Sequence, residues 1–429
     1  MKFTLLHPAD QIVQIMDRVY TGGMTTVSGG NISVMDDDGD IWITPSGIDK
    51  GSLTRNDICR VTPAGEVYGA HKPSMELPFH RNVYKRRPDL RAVLHAHPPA
   101  LVSFSVARVL PDVRIVGNAH GTVGKLTMAA YAVPGSQVLG EIIAAEFEKG
   151  FDTVIMENHG AVIGAEDLHK AYMKFETLEA TATVEIYARK LGTPKGLPES
   201  VINRMPSNDS VLMEQFAPTM HSAEERAARR DMATLIHRAY RQKLCCSTQG
   251  TYSARLSDNS FIITPYGADR AHMEENDLVL IRDNKREQGK LPSRSVKLHQ
   301  KIYENFPEAK SILGSNPPYA MAFAVTDTAF DPRTIPESYI MLRQVQKVPF
   351  DAMYLKQDEV AGLFTQRTPV LICGNNQIIV TGNSLINAFD RLEVMEATAR
   401  SIISAREIGS LVPISDEEVK ELDVAFNLN

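Results

Sequence analysis

The chain has 429 residues, of which 43% are hydrophobic and 23% are charged, a composition typical of a globular protein with more than one domain. Its 46 Lys and Arg residues against 52 Asp and Glu residues give a formal net charge of -6, which leaves no basic excess for binding a nucleic-acid backbone or an anionic membrane. Four cysteines are too few for a disulfide scaffold, and the adjacent pair Cys245 and Cys246 lacks the spacing of a Cys-x-x-Cys metal site.

The N-terminal segment does not have the pattern of a targeting sequence. His7, Pro8 and Asp10 interrupt it, so it lacks the unbroken apolar core of a signal peptide. No other window of the sequence approaches the roughly 18 consecutive apolar residues of a membrane span. These features predict a cytoplasmic protein without a membrane partner.

The first half of the sequence mixes short strands with longer helices. In chain order, the hydrophobic pattern predicts helices at 8–20, 75–86, 136–149 and 166–191. Short β-branched runs predict strands at DIWIT (40–44), DICRVT (57–62), RAVLHA (91–96) and TVIMEN (153–158). Because consecutive short strands are accompanied by helices, we predict an α/β domain with three layers in the order α/β/α.

The second half of the sequence repeats the first. Four ordered blocks correspond at a separation of 216 to 220 residues: SGGNIS (28–33) with TQGTYS (248–253), 40–58 with 260–278, 72–107 with 290–326, and 154–182 with 370–399. We therefore predict two homologous domains, at 1–205 and 215–429. The stretch TPKGLPESVINRMPSND (193–209) between them is rich in proline and polar residues, as expected of a linker, and we place the linker at 206–214.

The motif His95-Ala96-His97 is the clearest candidate for chemistry. Residues two apart on a strand point to the same face, so both imidazoles can bind one metal ion. His159 follows another apolar run, where a strand would end, and Glu76 opens the helix before the His-x-His strand. Three imidazoles with a carboxylate suit zinc or another borderline divalent ion, whereas on the alternative interpretation these are ordinary polar residues at strand ends.

Comparison of the two copies separates the site from the fold. The second copy replaces all four candidate residues, with Gly314 for His95, Asn316 for His97, Asn376 for His159 and Ser295 for Glu76. Because the four are lost together, we infer that they act together and that one metal ion binds per chain, in the first copy. His80 lies within reach of this site, but its counterpart His299 persists, so we assign His80 a structural role.

The ordered motifs GGNIS, TPSG, PS-x-E, HAHP and NHG of the first copy resemble those of the class II aldolase/adducin family. This family contains L-fuculose-phosphate and L-rhamnulose-phosphate aldolases, L-ribulose-phosphate 4-epimerase and methylthioribulose-phosphate dehydratase. The resemblance covers most of residues 10–185. It implies an α/β fold of two tandem three-layer α/β/α domains, of which the first is catalytic and the second is a degenerate copy without metal ligands.

The resemblance also assigns roles to individual residues. It implies that His95, His97 and His159 bind zinc, that Glu76 is the acid or base beside the metal, and that Tyr131 in YAVPGS is a catalytic tyrosine. The family holds its substrate phosphate with a second set of residues, which implies binding of a small phosphorylated sugar by Asn31, Ser46, Gly47 and Ser74. The second serine of the family's PSSE motif is Met75 here, so one hydroxyl donor for the phosphate is missing.

These assignments predict a zinc-dependent aldolase that cleaves a ketose 1-phosphate, similar to L-fuculose or L-rhamnulose phosphate, into dihydroxyacetone phosphate and an aldehyde. Dehydratase and decarboxylase activities of the same family remain alternatives, and epimerisation is disfavoured because an epimerase is expected to carry Asp in place of Glu76. A non-catalytic, adducin-like interaction module is a further alternative, which we prefer for the second copy. The family's four-fold rings imply a homodimer in which four domains form a pseudo-tetramer.

Overall fold

A computed structural model describes residues 3–204 and 208–428, apart from the side chain of Thr4. The chain divides into two compact units. One comprises Met1–Val113 and Ala119–Thr183, and the other comprises Arg114–Asn118 and Val184–Asn429. The domain boundaries predicted at 205 and 215 stay predictions.

The first copy is built on one mixed sheet. Within residues 3–204, eight strands form this sheet in the order β4-β3-β2-β1-β5-β8-β7-β6, and all neighbours are antiparallel except β6 and β7. The strands are β1 (Asn31–Met35), β2 (Ile41–Ile43), β3 (Cys59–Val61), β4 (Val67–Tyr68), β5 (Ala92–Ala96), β6 (Leu126–Ala129), β7 (Thr153–Met156) and β8 (Ala161–Ala165). The helices are α1 (Pro8–Thr21), α2 (Leu77–Arg86), α3 (Pro99–Ala107), α4 (Gly117–Val123), α5 (Gln137–Glu148) and α6 (Leu168–Leu191).

The second copy repeats this sheet and adds one short edge strand. Among residues 208–428, nine strands run in the order β15-β16-β17-β14-β10-β11-β12-β13-β9. They are β9 (Gln215–Phe216), β10 (Thr251–Arg255), β11 (Phe261–Ile263), β12 (Val279–Arg282), β13 (Lys285–Glu287), β14 (Ser311–Ser315), β15 (Val345–Val348), β16 (Val370–Cys373) and β17 (Gln377–Gly382).

The helices of the second half follow the same plan, with additional short ones. They are α7 (Glu199–Ile202), α8 (Ala223–Arg241), α9 (Val296–Asn305), α10 (Pro318–Ala324), α11 (Pro336–Leu342), α12 (Ala352–Leu355), α13 (Gln357–Gly362), α14 (Leu385–Ile408) and α15 (Asp416–Ala425). In the predicted linker 206–214, residues 206 and 207 lie outside the described part, and Asp209–Leu212 forms a 3-10 turn. None of the helices in the described residues is long and apolar enough to cross a membrane.

The two sheets have matching strand orders and matching registers. Asn31 pairs with His95 between β1 and β5, and the corresponding residues Thr251 and Gly314 pair between β10 and β14. Leaving β9 aside, each strand of one sheet has a counterpart in the other at the same place in the order. The duplication predicted from the sequence blocks is therefore confirmed in the topology.

Helices cover both faces of the first sheet. On one face, Val93, Val154 and Met156 pack in one apolar cluster with side chains of α2 and α5 such as Phe79 and Ile143. The alternating residues on the other face, which include Ile32, Leu94 and Ile155, are completely buried as well, and helix α1 lies against β1 and β2. The α/β fold with α/β/α layers is thus as predicted.

The shared Glu-Ala-Thr-Ala motif closes the start of a helix in each copy. The Glu179 carboxylate accepts hydrogen bonds from the backbone N–H groups of Ala100 and Leu101, at the first turn of α3. Glu396 does the same for Tyr319 and Ala320 at α10. These carboxylates satisfy donors that a helix start leaves unpaired, which explains why both copies keep the glutamate of this motif.

Candidate metal centre

The His-x-His motif lies at the end of β5, as the sequence predicts. His95 is completely buried within the strand, and His97 follows its last residue. His95 shares the face of Val93, which packs against α2 and α5, so the site opens on the side of the sheet that carries these helices. The distance between the Nε2 atoms of His95 and His97 is 3.1 Å.

A third imidazole reaches the same place from the turn between β7 and β8. Asn158 adopts a left-handed conformation with φ of 54°, which reverses the chain just before His159. The N–H of His159 donates to the Ser105 hydroxyl at 2.9 Å, and that hydroxyl donates to the Met156 carbonyl at 2.7 Å. Ser105 thus anchors the turn that presents the His159 ring.

The three rings form a group that can hold a metal ion. One nitrogen from each of His95, His97 and His159 lies within 4.8 Å of the others. The Nδ1 atom of His95 donates to the Ala161 carbonyl at 3.0 Å, which fixes the tautomer and leaves the Nε2 lone pair toward the other rings. This is the donor arrangement expected of a zinc or similar site, in which a backbone carbonyl orients the ligand.

Burial keeps the three histidines neutral. Loss of hydration lowers the pKa of His95 to about 3, with the neighbouring His97 as the second cause. Burial also lowers the pKa of His97 and His159. Neutral imidazole is the form that binds a metal, so the group needs no deprotonation near pH 7.

Glu76 lies directly against the histidine group. Its Oε2 is 3.3 Å from His95 Nε2, and its Oε1 is 3.7 Å from His159 Nε2. The residue is only 8% exposed, and within the described residues its Oε1 has no hydrogen-bond partner. A buried carboxylate oxygen with one free face beside three metal-binding nitrogens is placed to exchange a proton with a substrate.

A buried hydrogen-bond chain positions Glu76. The Asn31 amide donates to Glu76 Oε2 at 2.7 Å, and Asn31 Oδ1 accepts from His80 Nε2 at 2.5 Å. On its other side, His80 Nδ1 contacts the Ser33 hydroxyl, which contacts the Tyr84 hydroxyl, each at 2.7 Å.

The second copy repeats the His-Ser-Tyr part of this chain with His299, Ser253 and Tyr303. The structural role predicted for His80 is therefore confirmed for its Nδ1 side. Its Nε2 side adds a contact to the Glu76 network that the sequence analysis missed. In the sequence, Asn31 and Glu76 are both replaced in the second copy, by Thr251 and Ser295. This joint change could have indicated that the two residues are in contact.

The structure joins the segments that carry the predicted phosphate-binding residues. Ser46 N–H donates to the Lys72 carbonyl at 2.9 Å, and Ser74 N–H donates to the Thr44 carbonyl at 3.1 Å. This bridge brings the Ser46-Gly47 turn next to Ser74, whose hydroxyl accepts from the Glu76 N–H at 3.2 Å. Asn31 does not take part in this bridge, because its amide group donates its hydrogen bond to Glu76.

Tyr131 is the predicted site residue that the structure leaves apart. It is 57% exposed, and among the described residues no hydrogen bond or ring contact joins its side chain to the histidine group. Its backbone N–H donates to Glu157 Oε2 at 3.2 Å, close in sequence to His159. The loop that carries Tyr131 also approaches the Glu76 segment, since a Cβ on Gly135 would lie 3.2 Å from the Met75 carbonyl.

Glycines make room for the imidazoles of the first copy. A Cβ on Gly160 would lie 2.8 Å from His97 Cδ2 and 2.5 Å from the Ala96 carbonyl oxygen. A Cβ on Gly29 would lie 3.0 Å from His97 Nδ1. Because these distances are too short for a real Cβ, larger residues at either place would displace the His97 ring.

In the second copy, the small and the large residues at two places of the site are exchanged. Gln377 stands where the first copy has Gly160, and Gly314 stands where the first copy has His95. A Cβ on Gly314 would lie only 2.5 Å from the Gln377 side-chain oxygen, so the Gln377 side chain fills the space that a ligand at position 314 would need. The second copy has therefore lost both its ligands and the room for them.

Comparison with known proteins identifies the family. The profile of the family described as "Class II Aldolase and Adducin N-terminal domain" matches residues 10–186 and again residues 230–403. The chain belongs to this family and contains two copies of its domain.

Curated relatives act on several phosphorylated substrates. A 5-deoxy-D-ribulose 1-phosphate aldolase of Bacillus thuringiensis serovar kurstaki is 31% identical over 46% of this chain and 92% of its own length. An L-fuculose phosphate aldolase of Methanococcus maripaludis is 33% identical over 41% of this chain and 93% of its own. A 3-oxo-tetronate 4-phosphate decarboxylase of Pectobacterium atrosepticum is 30% identical over 40% of this chain and 80% of its own. A solved L-fuculose 1-phosphate aldolase is 29% identical over 46% of this chain and 92% of its own, with a TM-score of 0.42.

Proposed function

We propose that the first copy is a zinc-dependent aldolase that cleaves a ketose 1-phosphate, similar to L-fuculose or L-rhamnulose phosphate, into dihydroxyacetone phosphate and an aldehyde. The observation that carries the proposal is the group of three histidine nitrogens within 4.8 Å of one another, one buried and two partly buried, with the Glu76 carboxylate against it. The similarity to aldolases of phosphorylated sugars supports the choice of substrate.

His95, His97 and His159 fit a divalent ion, because they offer neutral nitrogens in a buried site and one of them is oriented by a backbone carbonyl. Three nitrogen ligands favour zinc and leave a position for the substrate. Bound there, the ion supplies positive charge that stabilises the negative charge developing on two neighbouring sugar oxygens as the carbon-carbon bond breaks.

Glu76 is the acid and base at carbon. When the bond breaks, the electron pair stays on the carbon next to the carbonyl of the dihydroxyacetone phosphate part, and a proton must reach that carbon. Glu76 delivers it from its free Oε1, while Asn31 holds Oε2 in place. In the direction of synthesis the same carboxylate removes this proton. Tyr131 is the proposed acid and base for the aldehyde oxygen.

The substrate phosphate lies at the bridge that joins the Ser46-Gly47 turn to Ser74, with Asn31 completing the proposed set. Gly47 is exposed, and nothing lies within 4 Å of the Cβ it lacks, so a ligand can approach its backbone closely. Met75 is 73% exposed and offers no hydroxyl at this end.

Decarboxylation of a phosphorylated sugar acid is the second candidate, because one relative at 30% identity is named a 3-oxo-tetronate 4-phosphate decarboxylase. Loss of carbon dioxide also leaves an electron pair beside a carbonyl, so the same ion and the same proton donor serve it. The second copy lacks the ligands, and we assign it a non-catalytic role.

A substrate panel tests the proposed reaction. Zinc-loaded protein is incubated with ketose 1-phosphates, with the matching unphosphorylated ketoses, and with phosphorylated 3-oxo acids. We expect dihydroxyacetone phosphate and an aldehyde from a ketose 1-phosphate, and a much slower reaction of the unphosphorylated sugar. Release of carbon dioxide from the 3-oxo acids alone would select the decarboxylase, and no product from any compound would contradict a catalytic first copy.

The assembly is proposed to be a homodimer in which four domains form a closed ring, so that each catalytic site is completed by a non-catalytic copy. Four exposed apolar side chains support this, because Met75, which precedes Glu76, and Tyr131, Val133 and Val138 of the segment 131–138 are each more than half exposed.

Light scattering tests the assembly. We expect a mass of about 95 kDa, twice the 47.5 kDa of the chain, because a closed ring needs four domains. Residues 1–205 expressed alone are expected to be inactive or poorly soluble, although they contain every proposed catalytic residue. A monomer at micromolar concentration would contradict the ring.

A further inference from the structure

Lys50 is a buried lysine next to the Thr44-Pro45-Ser46-Gly47 segment. It is 2% exposed, and its ammonium group donates to the Pro45 carbonyl at 2.6 Å. Its own backbone N–H donates to the Val27 carbonyl at 2.9 Å, which fixes the residue between two loops. No step of the proposed mechanism uses this charge.

The charge of Lys50 is not neutralised by a carboxylate. In residues 3–204 and 208–428, no aspartate or glutamate forms an ion pair with it, and besides burial only the buried thiol of Cys59 shifts its pKa. Burial lowers the pKa of Lys50 to about 8, so most of the lysine is still charged at pH 7. A buried charge is costly unless an opposite charge or several hydrogen bonds compensate it.

Lys50 lies behind the turn where the substrate phosphate is proposed to bind. Its partner Pro45 directly precedes Ser46 and Gly47, and Pro45 also forms a β-bridge with Pro73, next to Ser74. The buried ammonium group therefore holds the Pro45 carbonyl, two residues before the exposed Gly47.

The second copy keeps a buried cation at the same place. Arg270 is 3% exposed and donates to the carbonyls of Gly250, Pro265 and Ala268. The cation thus accompanies the Thr-Pro-x-Gly turn and not the metal ligands, which the second copy lacks. In the second copy this cation serves the turn alone, because Arg270 donates to three backbone carbonyls. Among the described residues the Lys50 ammonium donates to only one, so in the first copy most of the charge is left without a compensating partner.

We propose that Lys50 is a positioning residue for the substrate phosphate, whose buried positive charge both holds the Pro45-Gly47 turn and attracts the phosphate dianion bound on its outer side. This inference rests on the proposed function, since that function places a phosphate at the turn. The dianion supplies the missing counter-charge, and the low-dielectric surroundings of Lys50 make the attraction stronger than at an exposed lysine.

Two variants separate the charge of Lys50 from its hydrogen bond. Lys50→Gln keeps a donor for the Pro45 carbonyl and removes the charge. Lys50→Arg keeps both the donor and the charge, and it introduces the residue that the second copy has at this position, Arg270. Calorimetric titration of the zinc-loaded full chain with inorganic phosphate is expected to show binding about tenfold weaker in Lys50→Gln, as one unit charge at several ångströms accounts for. Lys50→Arg should restore affinity to within about threefold of the unmodified protein.

The controls distinguish this role from a structural one. Zinc content should be the same in all variants, and Arg270→Gln, the matched change in the second copy, should leave phosphate affinity unchanged. If Lys50→Gln does not fold, Lys50→Met takes its place. Because methionine removes both the charge and the donor, unchanged phosphate affinity in Lys50→Met would overturn the inference as well. Equal phosphate affinity in Lys50→Gln and unmodified protein would overturn the inference alone, whereas absence of phosphate binding by the unmodified protein would overturn both the inference and the phosphate part of the proposed function.

Discussion

Replacing His97 by alanine is expected to remove the bound metal ion and the lyase activity together. His97 supplies one of three nitrogens that lie within 4.8 Å of one another, and its loss leaves two imidazoles, too few for a stable three-ligand site. His97 lies beyond the end of β5 and not in the core of the sheet, so the fold should persist. Metal analysis of the purified variant and the ketose 1-phosphate cleavage assay measure the two effects.

The duplicated domain provides the matched control. Asn316 occupies the corresponding position in the second copy, where its amide donates to the Asn376 carbonyl. Asn316→Ala should leave metal content and activity unchanged, with about one ion per chain in both this variant and the unmodified protein. Two ions per chain, or retention of zinc by His97→Ala, would contradict the assignment of the site to the first copy.

Much of the fold could be predicted because local patterns determine it. The four predicted helices correspond to α1, α2, α5 and α6, with ends that differ by at most two residues. The strand predicted at 91–96 is β5 at Ala92–Ala96, and the alternation of side chains along a strand placed His95 and His97 on one face. Short strands without an apolar run of their own, such as β4 at Val67–Tyr68, gave no such pattern.

The contacts around the site could not be predicted, because they depend on strand register and on packing between distant segments. Asn31 reaches Glu76 across 45 residues because β1 and β5 pair with Asn31 opposite His95. No local pattern in GGNIS specifies this pairing. For Tyr131 the motif predicts a catalytic side chain, and this assignment stays a prediction, because the side chain is 57% exposed and forms no hydrogen bond with the histidine group among the described residues.

The two copies differ in the packing around the site as well as in the residues that could bind a metal ion. In the first copy a glycine at position 160 leaves room for the His97 ring, and in the second a glycine at position 314 leaves room for Gln377. Reintroducing a histidine at position 314 would require the Gln377 side chain to move, and Asn316 and Asn376 would still replace the other two ligands, so a metal site cannot return by a single substitution. The second copy has filled the place of one ligand with another side chain, while it keeps the buried His-Ser-Tyr contacts.

Replacing Glu76 by glutamine is expected to preserve the metal ion and the fold but to lower turnover by roughly 10²- to 10⁴-fold, the usual contribution of a general acid or base. Glutamine has the same shape, and its amide oxygen can still accept the hydrogen bond that Asn31 donates at 2.7 Å. It cannot deliver a proton to carbon. The variant should therefore bind zinc normally while failing in the step that the free Oε1 of Glu76 performs.

Hydrogen exchange isolates that step from carbon-carbon cleavage. In heavy water, the unmodified protein should exchange a carbon-bound hydrogen of dihydroxyacetone phosphate for deuterium without any aldehyde, because removal of this proton is the first step of synthesis. Glu76→Gln should lose this exchange together with turnover. Ser295→Ala, the matched change in the second copy, should alter neither, because its position faces no metal ligand there. If Glu76→Gln kept normal exchange while cleavage failed, the proton at carbon would have to be carried by another residue, and Glu76 would act on the sugar oxygen instead.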